Sequence, residues 1–152
     1  YSSAASDVYK RQVVFEALTD WTTNSNDLIK YYSGTAVYKS SFKLDAAPDG
    51  NHILIDLGDF VAMARVKVNG QDAGGLWTAP YTLDITDLVK AGDNEVEIEV
   101  VNTWLNRLIG DLNLPEAKRT TWAAINSWKA DSPLQKAGLF GPVVIESVDY
   151  AE

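Results

Sequence analysis

Cysteine is absent from the 152-residue sequence. That excludes disulfides, thiolate nucleophiles and zinc sites built on sulfur, and leaves the redox compartment open. A single histidine, His52, removes any mechanism that needs two imidazoles. Long apolar runs are missing too: none approaches the roughly 18 residues that cross a bilayer as a helix. Cationic charge is scarce, with 13 Lys and Arg against 21 Asp and Glu and a formal net charge of −8. Such a surface repels phosphate backbones and anionic headgroups, so neither nucleic acid nor a membrane is expected as a partner. No phosphate-binding G-x-x-x-x-G-K-[ST] loop, G-x-S-x-G elbow or H-E-x-x-H helix occurs.

What is present is ordinary globular composition, 46% apolar and 22% charged, at a length that buries about two-thirds of the unfolded surface without staples. Aromatics stand out, with five Trp and seven Tyr. They fill cores, and they also make platforms for flat apolar ligand faces. Residues 1–12, YSSAASDVYKRQ, show neither strand alternation nor a helical face. Their SDVYKRQ string resembles translated sequencing-adapter read-through, so they are expected to be a non-native leader to a single domain over 13–152, itself a fragment of a larger protein. After them the pattern is β. VVFEAL (13–18), TAVYKSSFKL (35–44), HILIDL (52–57), NEVEIEVVN (94–102) and PVVIESV (142–148) read as strands. Asn69-Gly70 between β-rich arms is a hairpin signal. In the 94–102 strand Val96, Ile98 and Val100 face inward and Glu95, Glu97 and Glu99 outward. Helix is expected only as one turn at Thr86–Lys90, with Thr86 as N-cap, and another near Trp122–Trp128. Short strands separated by turns predict an all-β, antiparallel jelly-roll β-sandwich. Between the last two predicted strands lies a connection, Trp104–Lys136, rich in Trp and weak in strand signal. Long connections of this kind carry function more often than fold.

The order of motifs makes a family resemblance specific. Val66, Val68, Asn69 and Gly70 form a V-x-V-N-G strand end, followed by Gly75, Pro80 and Tyr81 in a G-x-x-x-x-P-[FY] segment. Asp84, Ile85 and Thr86 then form a D-[IL]-T turn, and Gly92 and Asn94 a G-x-N turn. Residues 21–148 resemble the jelly-roll, galactose-binding-like sugar-binding domain of glycoside hydrolase family 2. The continuation from Asn102 through Ser147 is closer to the equivalent domain of family 106 α-L-rhamnosidases. The resemblance implies a non-catalytic accessory domain whose partners are carbohydrate and the catalytic domain of its parent enzyme. It also implies a periplasmic or extracellular setting in a bacterium. No cofactor is implied. Calcium binds turns in many jelly-roll modules, but no D-x-D-x-D-G spacing occurs here.

Candidate ligand-binding residues are Trp77, Trp104, Asn106, Arg107, Asp111 and Trp122, with the Trp104–Lys136 and Gly74–Tyr81 connections expected to approach each other at one end of the sandwich. Arg107 and Asp111, four apart, suit either sugar hydroxyls or a tie that pins the loop. Asn102 and Asn106 carry the same two readings, and Trp21 is expected to pack beneath the N-terminal segment. His52, beside Asn51 at a strand start, reads as a surface residue. No catalytic or metal-ligating residue is assigned. Glu95, Glu97 and Glu99 repeat at about 6.6–6.8 Å, within the range for an inverting glycosidase, but alternation places them in water with no pocket to raise a carboxyl pKa. Two alternatives stay open: a bracing domain with no ligand, presenting an apolar face around Trp77 or Leu139 and Phe140, and a self-contained glycosidase using the glutamate face.

Overall fold

The computed structural model describes residues 2–6, 9–125 and 127–149, with side chains from residue 13 onward. Its strands are β1 (Ser2–Ser6), β2 (Tyr9–Val13), β3 (Thr35–Leu44), β4 (His52–Asp56), β5 (Asp59–Val61), β6 (Met63–Val68), β7 (Gln71–Leu76), β8 (Thr82–Asp84), β9 (Gly92–Val101), β10 (Gly138–Gly141) and β11 (Val144–Val148). Two α-helices, α1 (Asp27–Lys30) and α2 (Leu105–Leu112), join them, with short 3-10 turns at Trp21–Thr23, Thr86–Leu88 and Glu116–Lys118. One sheet runs β2-β1-β3-β9-β6-β7, and β11-β4-β8 with the β10-β5 pair covers it. All named pairings are antiparallel. The architecture is the expected antiparallel β-sandwich.

Alternation builds the core. Ala36 and Tyr38 of β3, Ala64, Val66 and Val68 of β6, and Val96, Ile98 and Val100 of β9 are buried on one sheet. Ile53, Ile55, Leu57, Phe60, Ile85 and Leu139 meet them from the other side in a single cluster. Asn69 and Gly70 turn β6 into β7 with φ of 51° and 79°, the left-handed pair that a two-residue type I′ hairpin requires. The outer face is a charge ladder. Glu97 lies opposite both Lys39 and Lys67, and the Lys39 Nζ is 2.6 Å from Glu97 Oε1. Arg65 grips Asp72 through Nε and Nη2 at 2.9 and 2.8 Å.

The family motifs prove to be fold-making knots. Asn94, fully buried, donates to the carbonyls of Lys90 and Gly92 and accepts from the Lys90 N–H and the Asn69 side chain. Asn69 also donates to the Leu88 carbonyl and accepts from the Glu95 N–H. In this way the V-x-V-N-G and G-x-N turns lock together, leaving no buried amide atom unpaired. In the D-I-T turn Asp84 accepts from the Thr86 N–H and hydroxyl, while Thr86 Oγ1 accepts from the Ile53 N–H and so staples the turn to β4.

Four local expectations are corrected. VVFEAL is not a strand: β2 ends at Val13, Val14 is exposed, and Leu18 instead packs on the core. The run lacks the alternation that a half-buried strand needs. Among the described residues of Trp122–Trp128 no helix forms; α2 lies earlier, over Leu105–Leu112. Thr86 sits inside its 3-10 turn rather than capping it, because its hydroxyl is engaged by Asp84 and β4. The long connection does not join the last two strands, since β10 follows it and pairs with β5. Residues 1–12, set aside from fold reasoning above, supply β1 and most of β2, a hairpin on the free edge of β3. An open strand edge pairs through backbone groups whatever the side-chain pattern. Tyr1, Asp7 and Val8 of that segment lie outside the described residues.

Candidate functional site

Strand register sets the geometry of the aromatic end. Leu76, Ala64, Val100 and Ala36 form one row across β7, β6, β9 and β3. Trp77 leaves β7 one residue beyond that row and Trp104 leaves β9 four residues beyond it, so both emerge at the same end of the sheet, from strands about 10 Å apart. The register thus starts both connections from the same end of the sheet. Trp77 and Trp104 are each 71% exposed and Trp122 is 83% exposed, whereas Trp21 is only 3% exposed. Trp21 stacks on Tyr38 and donates its indole N–H to the Tyr38 hydroxyl at 2.6 Å. It lines a small apolar cavity with Val13 and Phe15.

The polar candidates are occupied by ties within the chain. Asn106, buried, donates to the Gln135 carbonyl at 2.6 Å and accepts from the Gln135 N–H at 2.9 Å. Both ends of the long connection are fixed in that way. Asp111 is 2% exposed. Its Oδ2 accepts from the backbone N–H and hydroxyl of both Thr120 and Thr121, and its Oδ1 lies 2.6 Å from Arg107 Nη2. Burial alone would raise the Asp111 carboxyl. The Thr121 hydroxyl, the two backbone N–H groups and the Arg107 charge outweigh it and hold the group below its usual range. Arg107 Nε donates to Thr120 Oγ1. Asp111 therefore clamps the return of the loop onto α2 one residue before Trp122. Asn102 has a parallel duty, accepting from the Gly34 N–H and donating to the Tyr32 carbonyl.

Sequence reasoning passed over α2 itself, although Leu105, Leu108, Ile109 and Leu112 have i, i+3, i+4, i+7 spacing. Gly110 lets α2 lie flat on Tyr31, where a Cβ would fall 2.6 Å from the ring. Also overlooked was Asn113, which donates to the Ile109 carbonyl and to the Ala130 carbonyl. It gathers the far limb of the loop to the C-terminal end of α2. Leu139, offered above as part of an exposed apolar face, is buried beside Trp21 in the core.

At the opposite end, His52, Asp72, Asp84 and Thr86 line a shallow polar depression. His52 is a partly exposed surface residue whose Nδ1 lies 2.6 Å from Asp84 Oδ2. The Thr86 hydroxyl, the Thr86 N–H and His52 hold the Asp84 carboxyl down at about 2. A carboxyl depressed in the folded state contributes stability above its unfolded pKa and loses it as pH falls through the folded value. Stability is therefore expected to decline between about pH 4 and pH 2. The Asp84 share is at most about 1 kcal/mol, because the pair is half-exposed and screened. Urea midpoints for wild type and Asp84→Asn across that window check this: the variant should show the shallower decline.

Fold and surface together define an antiparallel β-sandwich with exposed tryptophans on its connections. The chain belongs to the glycosyl hydrolase 2 galactose-binding domain-like family, whose model matches residues 2–133. It is similar to a solved rhamnosidase from Novosphingobium sp. PP1Y, with 42% identity, 84% of this chain and 12% of that chain covered, and a TM-score of 0.78. A curated protein of Formosa agariphila named "Putative beta-glucuronidase" is 36% identical over 88% of this chain and 14% of its own length. A solved β-D-glucuronidase of Dictyoglomus thermophilum, 24% identical over 67% of this chain and 18% of that one with a TM-score of 0.54, shares the fold. The chain thus spans about one-seventh or less of the first two relatives. The resemblance carried by Asn69-Gly70, Asp84-Ile85-Thr86 and Gly92-Asp93-Asn94 is borne out.

Proposed function

We propose that this chain is a non-catalytic, carbohydrate-associated accessory domain of a multidomain glycoside hydrolase, rhamnosidase-like or family 2-like, and that its exposed tryptophans hold a sugar face weakly. The observation that carries this reading is the segregation of the tryptophans. Trp21 is locked in the core, while Trp77, Trp104 and Trp122 stand open on connections. An open indole costs hydration that a strand-borne core Trp avoids, and pyranose faces are apolar enough to relieve that cost. With Asn106 and Asp111 committed to loop ties, few polar groups remain for hydroxyls. Affinity is accordingly expected in the millimolar to micromolar range, about −4 to −8 kcal/mol.

The catalytic carboxylates belong, on this reading, to a further domain of the parent enzyme. Glu95, Glu97 and Glu99 stand on the lysine-laddered outer face, and Glu97 is ion-paired. The 152-residue chain is expected to leave an aryl rhamnoside and an aryl galactoside uncleaved over a day. Cleavage that Glu97→Gln abolishes would instead establish the glutamate face as an active site. A second reading, bracing of the parent enzyme without a sugar, is favoured by one observation: Ile125, three residues from Trp122, is 88% exposed, and a sugar has no use for it. Titration with mono- and oligosaccharides separates the two, since bracing predicts no saturable response.

A further inference from the structure

The Trp104–Lys136 connection differs in charge from the rest of the molecule. It holds five Lys and Arg against three Asp and Glu, a net +2, leaving eight basic against eighteen acidic residues elsewhere. Arg107 and Asp111 cancel each other in the buried clamp, and Lys136 lies over the Phe140 ring. Lys118, Arg119 and Lys129 remain, with Glu116 and Asp131 as the loop's other charges, all exposed and none in an ion pair among the described residues. The fold gathers them. Arg119 Nε donates to the Leu114 carbonyl. The Asp111 clamp fixes Thr120 and Thr121 between Arg119 and Trp122, and Asn113 draws in Ala130 beside Lys129. Three cations and the most exposed tryptophan therefore share one loop cluster at the end of α2.

We propose that this cluster selects an anionic saccharide, one bearing carboxylate or sulfate groups, with Trp122 against the sugar face and Lys118, Arg119 and Lys129 facing its charges. This rests on the sugar-binding reading above and specifies its ligand. Screening decides which charges a ligand feels: at 0.1 M salt the Debye length is about 10 Å, so Lys118, Arg119 and Lys129 against Glu116 and Asp131 leave a local net charge of +1 that acidic residues on distant faces do not cancel. The planar guanidinium of Arg119, three residues before Trp122 in the chain, has the fork geometry that suits a carboxylate or sulfate. A docking protein surface would gain from Ile125 but has no need of the three cations. Single-stranded nucleic acid shares the aromatic-plus-cation chemistry, yet its dense phosphates would extend over the acidic remainder of a chain of net charge −8.

The test is calorimetric titration of the 152-residue chain with a tetragalacturonate, a sulfated tetrasaccharide, a neutral tetrasaccharide of equal length and a short oligothymidylate, at 50 and 500 mM NaCl. Binding of at least one anionic saccharide should be about tenfold tighter than that of the neutral one at low salt, and should weaken severalfold at high salt. Lys118→Gln with Lys129→Gln leaves the Arg119–Leu114 tie intact and should weaken anion binding by about fivefold, at roughly two- to threefold per exposed charge. Its affinity for the neutral sugar should stay the same. Equal binding of neutral and anionic sugars, or an unchanged double variant, would overturn this inference and leave the sugar-binding reading standing. Oligothymidylate binding more tightly than either anionic sugar would also overturn it. Absence of any saccharide binding would remove both.

Discussion

Asp111→Ala should lower stability by about 2–4 kcal/mol, one of the largest single losses in the molecule outside the apolar core. The carboxylate is 2% exposed. It serves two backbone N–H groups, two hydroxyls and the Arg107 guanidinium. Hydrogen bonds to a charged group contribute roughly 1.5–3 kcal/mol. Removing one member of a buried pair leaves the other uncompensated, at about 3–5 kcal/mol when both are dry. Arg107 keeps a quarter of its side-chain surface in water, which brings the expectation down to about 2–4 kcal/mol. Asp111→Asn keeps the shape but loses the charge facing Arg107, so it should fall between. With a urea slope of about 1–3 kcal/mol per molar, the alanine variant's midpoint should drop by about 0.7 molar or more. A loss below about 0.5 kcal/mol would mean that Asp111 does not hold the loop.

Gly138→Ala is expected to cost about 3–5 kcal/mol through backbone strain and a clash that cannot relax. Gly138 has φ +106°, and an added Cβ would fall 2.5 Å from Trp21 Nε1 and 2.7 Å from Cε2. Trp21 is held in place, since it stacks on Tyr38, bonds the Tyr38 hydroxyl and meets Tyr32 edge-on. The same hydroxyl accepts from the Leu139 N–H, so moving the indole also disturbs β10. Overpacking and an unfavourable φ each contribute about 1–3 kcal/mol. Gly50→Ala isolates the backbone part, because Gly50 has φ +78° and no atom within 4 Å of its Cβ position. Its cost should be about 1–2 kcal/mol. Thermal midpoints of the two variants should differ by about 5–10 °C. Equal midpoints would show that the Gly138–Trp21 contact is not rigid.

The sequence displays what depends on near neighbours. Alternation in 35–44 and 94–102 placed β3 and β9, and Asn69-Gly70 placed the β6–β7 turn, because each signal is complete within ten residues. β5 and β10 were illegible: they are three and four residues long and exist only through mutual pairing across more than 70 positions. α2 was legible in its leucine spacing but masked by Asn106 and Asp111, polar residues on the buried side of the helix. Those two illustrate the limit for the site as well. An Asn or Asp near tryptophans suits a sugar or a loop tie equally well, and only the positions of Gln135, Thr120 and Thr121 show what their atoms bond. The tryptophans divided more cleanly, because an indole on a connection has no alternating face to turn inward.

The account stands most directly on whether those open indoles meet a sugar. The measurement is a titration of the isotope-labelled 152-residue chain with the neutral and anionic tetrasaccharides, reading the five indole N–H resonances. The Trp122 resonance should move saturably, with Trp104 or Trp77 following, at millimolar or lower ligand, while that of Trp21, hydrogen-bonded to Tyr38, stays fixed. Indole resonances unmoved by every sugar at tens of millimolar would contradict the account and leave the bracing role in its place.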